Sequence, residues 1–391
     1  MRGPKGARRG AELNELGVIP HGAMLIRDGV IEQVGSAERV ENLASARGAE
    51  EISAVGRVVM PGFVDSHTHL LFPPPLMAGE APRLRESAVK LLGTTTGQAL
   101  VRRGRSYLDD MLRHGTTTVE AKTGCGPNES AQIKVLRVLQ ALQGRNMDVV
   151  ATLLFGFAEG GSLTADAAAG EWVCGELMPK IRRRRLARFL DLEWDAEPRR
   201  QQWYGRFLVE ARSLGLGCKV HADAEKPAAA VQLALEHQVA SIDHLEHIGP
   251  GEVEALGRGR TVATLALGNC WRGGRAAPAR ALIEAGAAVA IATNFNPSHS
   301  PSLSMQAAIS LASGALGMSA AEAISAATVN GAQAIGYTDR GLLAYGKRAD
   351  VLLLNVGDYR ELPQQLGTNL VHMTIKSGKV VYREGAVLEA E

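Results

Sequence analysis

The stretch Pro61-Gly62-Phe63-Val64-Asp65-Ser66-His67-Thr68-His69 reads as an extended, apolar run ending in two imidazoles. Strand side chains alternate with period two, so Asp65, His67 and His69 fall on one face. Two neutral imidazoles facing one way at a strand end make half of a site for a borderline metal. The competing reading is a histidine pair in the core or near a surface turn. His-x-His alone does not separate the two, so the surrounding chain has to.

Downstream the same texture repeats. Apolar, β-branched runs at 116–122, 149–157, 187–193, 217–223, 240–245, 261–266 and 287–293 follow the run at 58–69, eight in all. The intervals, among them 132–142, 228–237 and 279–286, have helical composition. This order predicts an α/β fold, a (β/α)8 or TIM barrel packed inside by Val, Ile and Leu, with its chemistry at the mouth where the strands end. The chain ends differ. Ala23-Met24-Leu25-Ile26-Arg27-Asp28-Gly29-Val30-Ile31-Glu32-Gln33-Val34-Gly35 is two apolar runs about an Asp-Gly turn, a hairpin signal. Arg57-Val58-Val59-Met60, Ala349-Asp350-Val351-Leu352-Leu353-Leu354-Asn355 and Ile375-Lys376-Ser377-Gly378-Lys379-Val380-Val381-Tyr382 also read as strands with turns. Residues 1–57 with 340–391 are expected to form one small, composite, β-sandwich-like domain, and 58–339 the barrel.

Bulk composition narrows the function. The chain has 391 residues, 46% of them hydrophobic, enough for a large core and a second small unit. A net charge of +2 provides no field that would draw it to nucleic acid or a membrane, and a small-molecule substrate is the expected partner. Arg182-Arg183-Arg184-Arg185 is the only dense basic run, and it reads as capping or solvating a helix. Cys125, Cys174, Cys218 and Cys270 are widely spaced without a Cys-x-x-Cys pair, which suits a reducing cytoplasm. The basic N-terminus lacks an apolar core, so no secretory signal is expected, and no apolar stretch is long enough to span a bilayer.

Polar groups collect at the ends of the runs. His67 and His69 end the first, His221 and Asp223 the fifth, and His244 the sixth. Asn294 follows the eighth, in Ile291-Ala292-Thr293-Asn294-Phe295-Asn296-Pro297. Imidazoles converging at one mouth suit one divalent metal, Zn²⁺ or Fe²⁺, which lowers the pKa of bound water and polarises a carbonyl. Separate satisfaction of each histidine by backbone groups is the alternative.

Val59-Met60-Pro61-Gly62-Phe63-Val64-Asp65-Ser66-His67-Thr68-His69 resembles the first-strand signature of the amidohydrolase superfamily, and the chain most resembles the imidazolonepropionases within it. The supporting stretches are Gly115-Thr116-Thr117-Thr118-Val119-Glu120-Ala121-Lys122-Thr123-Gly124, Lys219-Val220-His221-Ala222-Asp223, Ser241-Ile242-Asp243-His244-Leu245 and the run at 291–297, with Gly346-Lys347-Arg348-Ala349-Asp350 as a general superfamily feature. The resemblance implies a barrel flanked by a composite β-domain, often a homodimer. It also implies one metal held by two His-x-His imidazoles, a fifth-strand His and an eighth-strand Asp. The metal positions map to His67, His69, His221 and Asn294.

Several positions depart from the family pattern. The family's eighth-strand Asp, ligand and base at once, is Asn294 here. An amide oxygen can coordinate weakly but takes no proton near neutral pH. The family's substrate-binding Arg falls at Leu76, its loop Tyr at Cys125 and its third-strand His at Phe157. The Glu that closes its His-Ala-Asp-Glu run is Ala224, with Glu225 one place late, while its sixth-strand His is kept as His244. The chain opens at Met1-Arg2-Gly3-Pro4 without the strand that precedes this stretch in the family, which would open an edge of the small β-domain.

Without the Arg a substrate carboxylate lacks its natural partner and would be buried unpaired. The expected function is therefore an imidazolonepropionase-like, metal-dependent hydrolase of a cyclic amide or related C–N bond. It would act through metal-activated water on a substrate diverged from imidazolone propionate. His244, Asn294 and Asp223 are the candidate catalytic groups, with Glu225 another possible base and His244 steadying the developing oxyanion. Cys125, Phe157, Leu76 and Glu225 are the candidate substrate contacts. Asp223 has a second reading, as a group orienting a ligand. His299, in the loop after the eighth run, is either an extra imidazole or a surface residue. The alternative from another class is an impaired or non-catalytic binding protein that keeps the barrel.

Overall fold

In the computed structural model eight parallel strands pair in strict chain order: Phe63–Thr68, Thr116–Lys122, Asp148–Phe155, Phe189–Glu193, Gly217–Ala222, Ser241–His244, Val262–Ala266 and Ala288–Ala292. They are called the first to eighth barrel strands below. The structure describes residues 6–74, 85–125, 128–144, 146–157, 162–195, 197–222, 230–384 and 386–388. Strands such as Thr116–Lys122 and Ala288–Ala292 are buried along their whole length, as parallel strands covered by helices must be. A parallel bridge between Thr68 and Phe295 joins the first strand to the chain leaving the eighth. Asp65 stitches the same seam, accepting from the Thr293 amide at 3.1 Å and its hydroxyl at 2.5 Å. The (β/α)8 barrel expected from the alternation is thus present.

The helices between strands follow from apolar spacing and local caps. Gly97–Arg113 buries Leu100, Gly104, Leu108, Met111 and Leu112, which recur at i, i+4, i+8, i+11 and i+12 and so share one face. The Thr96 hydroxyl accepts from the Ala99 amide and satisfies one otherwise orphaned donor at its start. Asn128 does the same for Glu129–Leu142 through the Ala131 amide. Arg182 and Arg183 lie in the last turn of Met178–Arg183, where positive charge complements the helix dipole, as read from the sequence.

One expectation is corrected. The run 58–69 is two strands: Val58–Pro61 pairs with Val351–Leu354 in the small sheet, and only Phe63–Thr68 enters the barrel. Gly62 is the break. Its amide donates to Asp350 O at 2.9 Å, while that of Phe63 donates to Gly115 O at 3.0 Å, so neighbouring residues belong to different sheets. A Cβ on Gly62 would meet the Thr117 side chain at 2.4 Å, so a larger residue does not fit this crossing.

The small sheet orders Ala386–Val387, Lys379–Arg383, Val371–Lys376, Val351–Leu354 and Val58–Pro61. Gly22–Arg27 and Val30–Ser36 form the hairpin expected at Asp28-Gly29, both with positive φ (50° and 77°), as its tight turn requires. Ile31 from the hairpin packs with Val351, Leu353, Met373 and Ile375 from the sheet, so both chain ends share one apolar cluster. At the foot of the barrel Asp148, at the start of the third strand, meets Arg340, Arg348 and Lys376 and ties the two sheets together.

Candidate metal centre

The strand ends bring four imidazoles together. His67 lies near the end of the first strand, His221 near the end of the fifth, and His244 closes the sixth. Ring centroids are 5.1 Å apart for His67–His221, 5.0 Å for His67–His244 and 4.2 Å for His221–His244. One ligand nitrogen from each of these three lies within 4.8 Å of the others. His69, just past the first strand, stands on the rim, 5.3 Å from His67 and 6.1 Å from His221 by centroid. His67 Nε2, His221 Nδ1 and His244 Nε2 are buried without a hydrogen-bond partner. Leaving such a nitrogen unpaired costs roughly 1–3 kcal/mol each, and three in one small space fit a shared divalent metal.

Two carboxylates orient two of these rings. His67 Nδ1 donates to Asp243 Oδ2 at 2.7 Å, and His244 Nδ1 lies 3.1 Å from Glu246 Oε1. Burial holds His67 well below its ordinary pKa, with Lys122 adding to the effect, and burial does the same to His221. Both are therefore neutral and able to offer lone pairs. Burial alone would lower His244 too, but the Glu246 carboxylate outweighs it and raises the group.

Beneath the imidazoles the barrel interior is charged, which corrects the expected packing by Val, Ile and Leu alone. Lys122 Nζ lies 2.9 Å from Glu120 Oε1, 2.6 Å from Asp191 Oδ2 and 3.2 Å from Asp243 Oδ2. Lys219 Nζ lies 3.1 Å from Asp243 Oδ2 and donates to Ser66 O at 2.9 Å. These side chains come from the second, fourth, fifth and sixth strands, and all are buried. Contacts between strands that are not neighbours require that they cross the barrel interior. Burial would raise Asp243, but Lys219 and Lys122 hold it well below the usual carboxylate range. Burial pushes Asp191 up to about 6 against the pull of Lys122. Charges inside a low-dielectric core persist only when paired and hydrogen-bonded in this way.

Sequence reasoning missed Glu246 and this ionic layer of Glu120, Lys122, Asp191, Lys219 and Asp243. The signal was present. Glu120 and Lys122 alternate with period two inside a β-branched run, and Asp243-His244-Leu245-Glu246 puts carboxylates on both sides of a histidine. A charged side chain inside a strand buried on both faces has to find a partner across the barrel.

The other expected site residues fall as follows. Asn294 leaves the eighth strand with a φ of 52° and is buried. Cys125 is buried, with Sγ 3.5 Å from Thr123 O. Phe157 is buried among Phe155, Tyr204 and Phe207, under the Arg200 guanidinium at 5.1 Å. The His299 ring meets Phe72 at 5.5 Å. Leu76, Asp223, Ala224 and Glu225 lie outside the described residues.

Comparison with known proteins agrees with the fold. The model of the amidohydrolase family matches residues 75–382. The imidazolonepropionase of Deinococcus deserti is 36% identical over 389 residues, covering 95% of both chains. Among solved structures, N-isopropylammelide isopropylaminohydrolase from Burkholderia multivorans superposes with a TM-score of 0.72 at 19% identity, over 98% of both chains. An adenosine deaminase from Xanthomonas campestris with bound zinc gives 0.69 at 20% identity, over 97% of this chain and 92% of its own.

Proposed function

The chain belongs to the amidohydrolase family, close to the imidazolonepropionases, and on that premise we propose that it is a metal-dependent hydrolase of a cyclic amide or related C–N bond, its substrate a small molecule diverged from imidazolone propionate. The observation that carries this reading is the convergence of His67, His221 and His244, each with a buried, unpartnered ring nitrogen, at the mouth of the barrel. The likeness to the Deinococcus enzyme supports the class of bond attacked.

His67, His69, His221 and Asn294 are the proposed ligand set, with His244 facing substrate. A divalent metal held there, zinc or iron, would lower the pKa of water and polarise the scissile carbonyl or amidine. The protein's own part is orientation. Asp243 fixes the His67 ring by taking its Nδ1 proton in a hydrogen bond, and the neutral state imposed by burial keeps a lone pair available on His67 and His221. His244 is the group proposed to steady the developing oxyanion, and Asp223 or Glu225 would supply the base that Asn294 cannot. Leu76, Cys125 and Phe157 replace the family's polar anchors, so the substrate should carry less negative charge than imidazolone propionate.

We also carry into the proposal the division into a β unit of 1–57 with 340–391 and a barrel of 58–339, with Val58–Pro61 lending its strand to the small sheet. A homodimer in the cytoplasm completes it. The described cysteines form no disulfide, and among the described residues no helix is long and apolar enough to cross a membrane.

Metal content of the purified protein, with turnover of a panel of cyclic amides before and after chelation, tests the reading. Metal-dependent turnover of a neutral cyclic amide is expected. Tight metal with no turnover, unchanged by Asn294→Asp, would favour the non-catalytic alternative, and absence of metal would defeat the reading.

A further inference from the structure

We infer that Glu193, at the mouth end of the fourth barrel strand, selects the substrate by binding a cationic arm beside the scissile ring. The inference rests on the hydrolase reading above and names the class of cyclic amide it concerns, one whose side arm ends in an ammonium or amidinium.

Glu193 faces the barrel interior. Asp191, two residues earlier on the fourth strand, reaches across the barrel to Lys122, and period two brings the inward face round again at Glu193. The register agrees. Asp191 pairs with Lys219 and Glu193 with His221, so Glu193 stands one layer above the ionic network and beside an imidazole of the centre. On its other side is Gly156, just past the end of the third strand. A Cβ on Gly156 would collide with Glu193 Oε2 and come within 3.0 Å of Glu193 Cβ. The carboxylate therefore leans across Gly156, toward the third strand and away from His221. The Trp194 amide still donates to His221 O at 2.9 Å, so strand pairing fixes the backbone on both sides of Glu193. The layer below is fully buried, whereas Glu193 is partly exposed where the barrel opens.

Charge decides which arm fits. In and under this mouth the carboxylates of Glu120, Asp191, Glu193, Asp243 and Glu246 outnumber the ammoniums of Lys122 and Lys219, and a bound dication leaves their sum negative. Both ammoniums lie beneath the imidazoles and are engaged by carboxylates of the layer. A substrate anion meets repulsion in such a cleft, and a cation is drawn in. Leu76 removes the counter-charge for an anionic arm, and Glu193 offers the opposite sign, as acceptor of a charge-assisted hydrogen bond.

Three hydantoins that differ only in an aminoethyl, propyl or carboxyethyl arm test this, by kcat/KM where the ring opens and by calorimetric affinity where it does not. The metal-loaded parent should favour the aminoethyl over the propyl arm by about 10–100-fold, the range of a hydrogen bond to a charged group, and take the carboxyethyl arm least. Glu193→Gln should bring the aminoethyl and propyl arms to within about threefold of each other. Glu193→Asp should keep part of the preference, and Glu193→Lys should reverse it toward carboxyethyl. If Glu193→Lys does not fold, the Gln and Asp variants carry the comparison. Metal content, measured on each, should match the parent, as a merely structural role at the centre would not allow. A parent that is indifferent to the arm, or binds none of the three, would overturn the proposal. So would Glu193→Gln that keeps the parent's ratio, loses all arms alike or loses metal. Selective binding of the aminoethyl arm without ring opening would support selection by Glu193 and end the hydrolase reading, whereas ring opening without arm preference would do the reverse.

Discussion

Asp243 Oδ2 stands 2.7 Å from His67 Nδ1, and the same oxygen lies within 3.2 Å of both Lys122 and Lys219. One sixth-strand carboxylate thus orients a first-strand imidazole and neutralises charge from the second and fifth strands. The metal centre and the ionic layer under it are one connected network.

Asp243→Ala should therefore fail in two ways. It frees the His67 ring, weakening metal about 10–100-fold. It also leaves two buried ammoniums short of a partner, costing about 3–5 kcal/mol. Zinc competition and urea unfolding read the two effects separately. Asp243→Asn keeps an acceptor for His67 Nδ1, so it should lose less metal affinity while still losing stability.

Lys122→Met should be about as damaging, because it strands Glu120 and Asp191 without their main counter-charge. Adding Asp191→Asn removes one stranded charge and should restore part of the loss. A double-mutant cycle of unfolding free energies checks this, with a coupling of about 1–3 kcal/mol expected. Additive effects would show that the two do not share one interaction.

Asp148 sets an acid limit on the joint between barrel and small sheet. Burial would raise its pKa, but Lys376, Arg340 and Arg348 together hold it below the ordinary 3.8. A carboxyl depressed in the folded state stabilises the fold above its unfolded pKa, and that stability is lost as pH falls below about 4 toward the folded value. Asp148→Asn should destabilise the parent by about 1–3 kcal/mol at pH 7, since the site is partly exposed. The variant should lose less stability than the parent between about pH 4 and pH 2. Thermal melts across that range give the comparison.

Asn294→Asp returns a proton acceptor to the end of the eighth strand. Hydrolysis of imidazolone propionate should recover only slightly, because the anchors replaced by Leu76, Cys125 and Phe157 are not repaired. A large recovery in a direct assay would mean that the anionic substrate is bound without them.

Metal removal should lower stability as well as activity. A ligand that binds only the folded state stabilises it by about 2.7 kcal/mol at 100 times its dissociation constant. The melting temperature should fall with chelator and return with added zinc. An unchanged melt in a protein shown to be loaded would argue against the three-imidazole centre.

Residue patterns explain why some features were legible and others were not. The run at 287–293 was readable because burial on both faces leaves a nearly unbroken apolar texture, a local property. The hairpin at Asp28-Gly29 was readable because few residues tolerate two positive φ angles in succession. The split at Gly62 was not, since both halves of 58–69 are extended and only their partners differ. The role of Asp65 was half legible: it shares a face with His67, as period two requires, but its partner Thr293 is 228 residues away.

The sequence by itself determined that this chain would alternate strand and helix and would carry histidines at the ends of several strands, because periodicity and burial are written into neighbouring residues. Only the tertiary structure decided which histidines converge and which carboxylate serves each ring. His67 and Asp243 are 176 residues apart, and Lys122 and Asp191 are 69 apart. Such pairs meet only when the barrel closes, and in its dry interior a charge left without its partner would unfold the protein.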